Sequence, residues 1–199
     1  MIIFAAMDTD LILQHVAQHI RLDEAEQTFF NSLLHPATIR RKDHLLLQGN
    51  VSRHESFIVK GCLRTYTVDD NGQDHVLMFG IEGWWISDLY SFLTQMPASC
   101  FIDALEDTSL LQLSKPNLEK LYEKVPKFER YFRLILQNAF VAHQQRINQS
   151  LSFTAGERYL EFVRKYPGLE QRIAQKHIAA YLGITPVFLS MLRRKLSGK

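Results

Sequence analysis

Gln175-Lys176-His177-Ile178-Ala179-Ala180-Tyr181-Leu182-Gly183-Ile184-Thr185-Pro186-Val187-Phe188-Leu189-Ser190-Met191-Leu192-Arg193-Arg194-Lys195-Leu196 is the stretch that decides how this chain is organised. Ala179 puts a small side chain where two helices would cross closely, and Gly183, four positions on, supplies the permissive backbone of a tight turn. Ile178, Leu182, Ile184, Leu189 and Leu192 are spaced to fill the small core between those helices. Thr185 and Pro186 make an N-cap and first-turn pair for the second helix, which closes on Arg193-Arg194-Lys195. The spacing predicts a helix-turn-helix rather than an ordinary helical hairpin with a solvated basic end. A helix presented N-terminus first to a major groove reads base edges, while cations at its flanks neutralise phosphates. Base edges therefore fall to Thr185, Val187, Phe188 and Ser190, and the DNA backbone to Gln175, Lys176, Arg193, Arg194 and Lys195.

The charge distribution agrees. Gly168 to Lys199 holds six Lys/Arg against Glu170, a balance of +5, so the rest of a chain with a total of +2 is mildly acidic. A basic end on an acidic body points to a polyanionic partner. The composition, 46% hydrophobic and 22% charged, is that of an ordinary globular protein. The opening Met1-Ile2-Ile3-Phe4-Ala5-Ala6-Met7 lacks the basic flank and length of a signal peptide, and no run reaches the ~18 apolar residues of a membrane span. Cys62 and Cys100 have neither metal-site nor secreted-framework spacing, which implies reduced thiols and a cytoplasmic protein.

Working towards the N-terminus, Phe153 to Tyr166 reads as a helix ended by Pro167-Gly168. Pro126 starts a long helix running to about Leu151. Its Phe128, Phe132, Ile135, Ala139 and Ala142 step by four and three, a coiled-coil-like seam that predicts a dimer interface. Pro116 opens a shorter helix capped by Ser114 or Lys115. Between Thr38 and Ser114 the chain alternates short β-type runs with turn signals: Leu45–Leu47, Phe57–Val59, Leu63–Val68, Val76–Phe79, Trp84–Ile86, Phe101–Leu105 and Leu110–Leu113. Asp69-Asp70-Asn71-Gly72 predicts a hairpin with a type I′ turn. Strands this short and regular predict a sandwich or barrel-like β domain. Leu11 to Leu34 reads as one helix stopped by Pro36.

Taken together these features resemble the CRP/FNR family of bacterial regulators, over about Ile12 to Leu196. The resemblance rests on Val59-Lys60-Gly61-Cys62-Leu63-Arg64, on Gly83-Trp84-Trp85-Ile86 and on the helix-turn-helix. It implies an α+β fold: a β-roll sensor, a double-stranded β-helix of the jelly-roll kind, over residues 1–125, a dimerisation helix over 126–151, and an all-α DNA-binding domain over 152–199. It also implies a homodimeric transcription regulator reading a two-fold symmetric site, with an effector pocket formed by Arg64, Trp84, Trp85, Ser87, Asp88, Leu89, Ala98 and Ser99. Partners on this reading are double-stranded DNA, a second copy of the chain, RNA polymerase and a small-molecule effector, with no metal, cofactor or membrane.

Three departures from the family pattern qualify it. Nucleotide-binding members carry Gly-Glu-Leu and Arg-Ser where this chain has Ser87-Asp88-Leu89 and Ala98-Ser99. Trp84 to Cys100 contains no Lys, Arg or His, so cAMP and cGMP are not the expected effectors. The Arg, Glu and Arg of specific operator readers are replaced by Pro186, Val187 and Met191, which shifts sequence choice towards apolar contacts and DNA shape. Pro167 to Gln175 is too short for a β-hairpin wing. The iron–sulfur cysteine cluster of some members is absent. His15 and His19, four apart, lack an evident third metal ligand, and no His-x-His supports a cupin-like enzyme. The remaining alternative is a β-roll ligand-binding or protein-interaction dimer that has lost specific DNA reading.

Overall fold

The computed structural model describes residues 9–196; the opening Met1–Met7 stretch lies outside them, as do residues 8 and 197–199. Two helices, α1 (Asp10–Ala17) and α2 (Glu24–Leu33), precede strands β1 (His35–Ile39), β2 (His44–Leu46), β3 (His54–Lys60), β4 (Leu63–Val68), β5 (Asp74–Gly80) and β6 (Trp85–Ile86). Helix α3 (Leu89–Thr94) separates them from β7 (Phe101–Ala104) and β8 (Thr108–Ser114). The rest is helical: α4 (Lys115–Lys124), α5 (Lys127–Ser152), α6 (Ala155–Lys165), α7 (Leu169–Arg172), α8 (Gln175–Leu182) and α9 (Pro186–Leu196). The α+β architecture follows the expectation. The chain has two compact units: one comprises the chain up to Thr65 with Phe79–Leu136, the other Tyr66–Met78 with Gln137 onward. The division falls inside α5, not at either of its ends.

The strands form two four-stranded sheets, of order β1-β8-β3-β6 and β2-β7-β4-β5. Within the first unit, side chains alternate along β3 and β8, as strand geometry requires. Ile58 and Leu110 point into a core with Leu46, Leu63, Ile86, Ile102 and Ala104. Phe57, Leu111 and Leu113 face the opposite way, into a core built with Ile12 and Val16 of α1, Phe30 of α2, Leu118 and Leu121 of α4, and Phe128, Tyr131 and Phe132 of α5. The central strands β3 and β8 of the first sheet are thus buried on both faces. Gly61 is required between β3 and β4: its φ is +106°, and a Cβ there would stand 2.5 Å from Thr108 Oγ1 and 2.8 Å from the Asp107 carbonyl.

Three local expectations are corrected. The single N-terminal helix is two, because Asp23 and Glu26 form a reciprocal capping box that starts α2. Pro36 does not merely stop a helix; it lies in β1, an edge strand, where a missing N–H is tolerated. At Asp69–Gly72 the Gly72 N–H donates to the Asp69 carbonyl, and Gly72 has φ +78° whereas Asn71 does not enter the positive region. That is a type I turn closed by a left-handed glycine, held by Asp69 Oδ1 accepting from the Asn71 and Gln73 amides, not a type I′ turn.

Candidate nucleic-acid interface

In the second unit, Ile178, Ala179 and Leu182 of α8 and Leu189 of α9 are buried, over a base of Phe162, Tyr166, Leu169 and Ile173. Gly183 ends α8 in the left-handed conformation, φ +67°, and the Ile184 N–H returns to the Ala179 carbonyl at 3.0 Å. Thr185 Oγ1 accepts from the Phe188 N–H at 3.1 Å and starts α9. Between Pro167 and Gln175, where a wing does not fit, the chain makes one turn of helix, α7, capped by Gly168.

The closed core leaves α9 with a bare apolar face. Val187 is 70% exposed, and Phe188 and Met191 are also open. Gln175, Lys176, Thr185, Arg194 and Lys195 are exposed as well. Met191 is not among the residues that sequence reasoning assigns to bases; one turn beyond Val187, it shares that exposed face. Two assigned residues have additional duties inside the unit. Ser190 Oγ lies 3.3 Å from Gln175 Oε1 and 3.1 Å from the Pro186 carbonyl, so it ties the two helices together. Arg193 stands 3.9 Å from Glu170, which also accepts the Tyr159 hydroxyl at 2.7 Å. Part of its charge is therefore neutralised internally.

The residues of the expected dimer seam differ in burial. Phe128 is fully buried and Phe132 nearly so, inside the chain's own core, with Ile135 packed at its edge. Ala139 is exposed and Ala142 half-buried. The apolar stripe that α5 leaves open is Leu136, Phe140, Ile147 and Leu151, the last 81% exposed. Steps of four, seven and four residues keep these side chains within one helical face.

The expected effector pocket is largely consumed by structure. Trp85 belongs to the helical core: its indole N–H donates to the Tyr131 hydroxyl at 2.9 Å and its ring packs on Phe57 and Phe132. Arg64 is held bidentately by Asp103, both contacts 2.8 Å, in a buried pair. Ala98 is core, and its N–H donates to the Asn50 carbonyl. Asp88, also buried, caps α3 by accepting from the Ser91 N–H, and its other oxygen accepts from the Ser99 N–H at 3.1 Å. The amides of Ser91, Ala98 and Ser99 are thus occupied by the chain itself. Trp84 is half-buried, its carbonyl accepting from the Ile58 N–H, and Leu89 is exposed. A cavity of about 170 Å³ does open in the roll, and of the eight assigned residues Ser87 lines it, beside Ser52, His54, Ser56 and Gln112. Ser87 also donates to Glu55 Oε1 at 2.8 Å, and burial pushes that carboxyl up to about 7.

Both cysteines are buried and neither is in a disulfide, and burial together with Asp88 pushes the Cys100 thiol up to about 12. His15 Nδ1 is engaged by the Tyr131 hydroxyl at 2.8 Å. No helix of the described residues is long and apolar enough to cross a membrane.

Residues 36–125 match the family model described as "Cyclic nucleotide-binding domain". An anaerobic regulatory protein of Haemophilus influenzae is 23% identical over 185 residues, 86% of this chain and 70% of the relative. The regulatory protein HlyX of Actinobacillus pleuropneumoniae is 24% identical over 185 residues, 86% and 75% respectively. In fold, the chain is similar to the c-di-GMP responsive regulator CLP of Xanthomonas campestris, with a TM-score of 0.71 at 12% identity over 88% of this chain and 92% of that one. FixK2 of Bradyrhizobium japonicum gives 0.69 at 18% identity, over 83% and 85%.

Proposed function

We propose that the chain is a regulator of the CRP/FNR type, cytoplasmic and non-enzymatic, that binds DNA as a homodimer, a reading supported by its similarity to the relatives above. One observation carries the reading: α9 exposes Val187, Phe188 and Met191 over a closed helix-turn-helix core, with Arg194 and Lys195 at the flank. An apolar, uncharged reading face suits thymine methyl groups and deformable steps, while Gln175, Lys176 and the terminal cations take phosphates. The two-fold symmetric site follows from pairing of two chains along the Leu136, Phe140, Ile147 and Leu151 stripe, which supports an interface displaced by about one residue from the expected one. The effector is not a cyclic nucleotide on this reading, since Trp84 to Cys100 holds no Lys, Arg or His and the Ala98 and Ser99 amides already have acceptors within the chain. RNA polymerase is the further macromolecular partner it implies.

Selection of bound genomic fragments followed by anisotropy titration tests it. If the dimer neutralises roughly six to ten phosphates, log K falls with log salt at a slope of about −5 to −9. Arg194→Ala and Lys195→Ala weaken binding on every sequence and flatten that slope by about one unit for each phosphate no longer neutralised. Val187 and Phe188 substitutions change which sequence is selected. Binding untouched by both classes of variant refutes the proposal.

A further inference from the structure

We propose that the second unit holds a binding site for a compact phosphorylated metabolite in the pocket where α5, α6 and α8 meet, with Arg146, Arg158 and Lys165 as its cationic donors. The pocket has a volume of about 210 Å³, below the ~300–1,000 Å³ of drug-sized sites, which limits the ligand to something much smaller than a dinucleotide. Its walls bring together Arg146 of α5, Arg158, Arg164 and Lys165 of α6, and Tyr181 of α8. One carboxylate lines it, Glu161, and Arg164 already holds that group.

The cations are placed rather than merely collected. Arg146 lies with its guanidinium carbon 3.6 Å above the Tyr181 ring, and one of its terminal nitrogens donates to the Tyr181 carbonyl at 3.0 Å and the Val76 carbonyl at 2.9 Å. Neutral carbonyls and a ring face orient this charge without cancelling it. Among the described residues no carboxylate pairs with Arg146. Burial and the neighbouring Arg146 hold the Lys165 ammonium below the usual lysine range. His143 is likewise lowered, by burial and then by Lys165 and Arg146. Positive groups crowded into a half-enclosed pocket are stabilised together by one bound dianion. Gln149 and Ser150 add neutral donors at the rim. Three donors drawn from two helices match the tetrahedral oxygens of a phosphate ester better than the two coplanar oxygens of a carboxylate.

The pocket is a different surface from the DNA-reading one, because no α9 residue lines it. A ligand there joins α5, α6 and α8 and so biases the arrangement of the helix-turn-helix, provided it binds one arrangement better than another. That regulatory consequence, though not the binding, rests on the DNA-binding reading above.

The test is calorimetric titration and thermal unfolding of the full chain with inorganic phosphate, glycerol 3-phosphate, ribose 5-phosphate and AMP, against sodium chloride at matched ionic strength. The compact phosphate esters are expected to bind and raise the unfolding midpoint. Lys165→Gln and Arg158→Gln should each weaken that binding about tenfold or more, the effect of removing one charge-assisted hydrogen bond, with each variant's ligand response read against its own ligand-free midpoint because Arg158 also donates to the Phe153 carbonyl at 2.7 Å. Arg146 is left intact because it also secures two backbone carbonyls. Absence of binding by every phosphate probe, a response equalled by chloride, or binding unchanged in both variants overturns the proposal. Variants that lose duplex DNA affinity while the parent binds no phosphate ester also overturn it and assign these cations to the DNA backbone. A chain that binds the esters but no DNA upholds the site and sinks the regulator reading.

Discussion

Helix α5 carries phenylalanines of opposite fate at its two ends. Phe128 and Phe132 are buried with Phe30, Tyr122 and Trp85, whereas Phe140, two to three turns on, is 69% exposed and belongs to a stripe completed by Ile147 and Leu151. Both ends have apolar residues at helical spacing, and that spacing alone does not say whose core they enter. The difference teaches that one continuous helix serves two packing problems, one within the chain and one left open for a second surface.

That contrast can be broken from the buried end first. Phe128→Ala should cost about 3–5 kcal/mol in denaturant unfolding, since its cavity is walled by ring neighbours that cannot collapse far. A loss below about 1 kcal/mol in that experiment would mean the α5 end is not part of the core. From the open end, Phe140→Glu combined with Leu151→Glu should raise the dimer dissociation constant by at least about thirtyfold, roughly 2 kcal/mol, in sedimentation equilibrium. Little change is expected in the unfolding of the remaining monomer. Dimers that persist would move the interface off this stripe.

Two pH experiments sharpen the buried side. Glu55 titrates near 7 in the folded chain and near 4.5 unfolded, so the folded state binds more protons between those values. Stability is therefore full below about pH 4.5 and declines as pH rises towards about 7. Glu55→Gln should remove that decline, raising stability at pH 8 relative to the parent by on the order of 2 kcal/mol. An equal effect at pH 4 and pH 8 would show that the carboxyl is not desolvated. His15 works with the opposite sign and a smaller effect. Burial, then His19, lowers it below 6.5, so its contribution is full above that pH and lost as pH falls through 6.5 towards the folded value. In His15→Gln the acid-side loss near pH 6 should be shallower; an unchanged pH profile would mean that folding leaves the protonation of His15 unaltered.

The site residues divide by how local their determinants are. Thr185, Gly183 and Ala179 were legible because capping, a left-handed turn and a close helix crossing each select residue types within a few positions. The strands from Leu45 to Leu113 were legible from short β-type runs set apart by turn signals, although Pro36 in an edge strand was hidden because proline usually marks an end. Asp88 was legible as a departure from a nucleotide cassette, but not as the brace that joins α3 to Ser99, since that partner lies 11 positions away. Arg193 looked like a phosphate ligand, and only its approach to Glu170 shows a second, internal duty.

By itself the sequence determined the order of elements, the helix-turn-helix with its basic end, and the loss of cations from the cassette, because all three are written in residue type and short spacing. Tertiary structure alone decided which side of α5 is open, which of the cassette's amides are already satisfied, and that Arg146 and Lys165, 19 positions apart, face one pocket. The physical reason is that hydrophobic burial and charge proximity act through space. A helix rotates by about 100° per residue, so a register error of one residue is enough to exchange a core face for an exposed one.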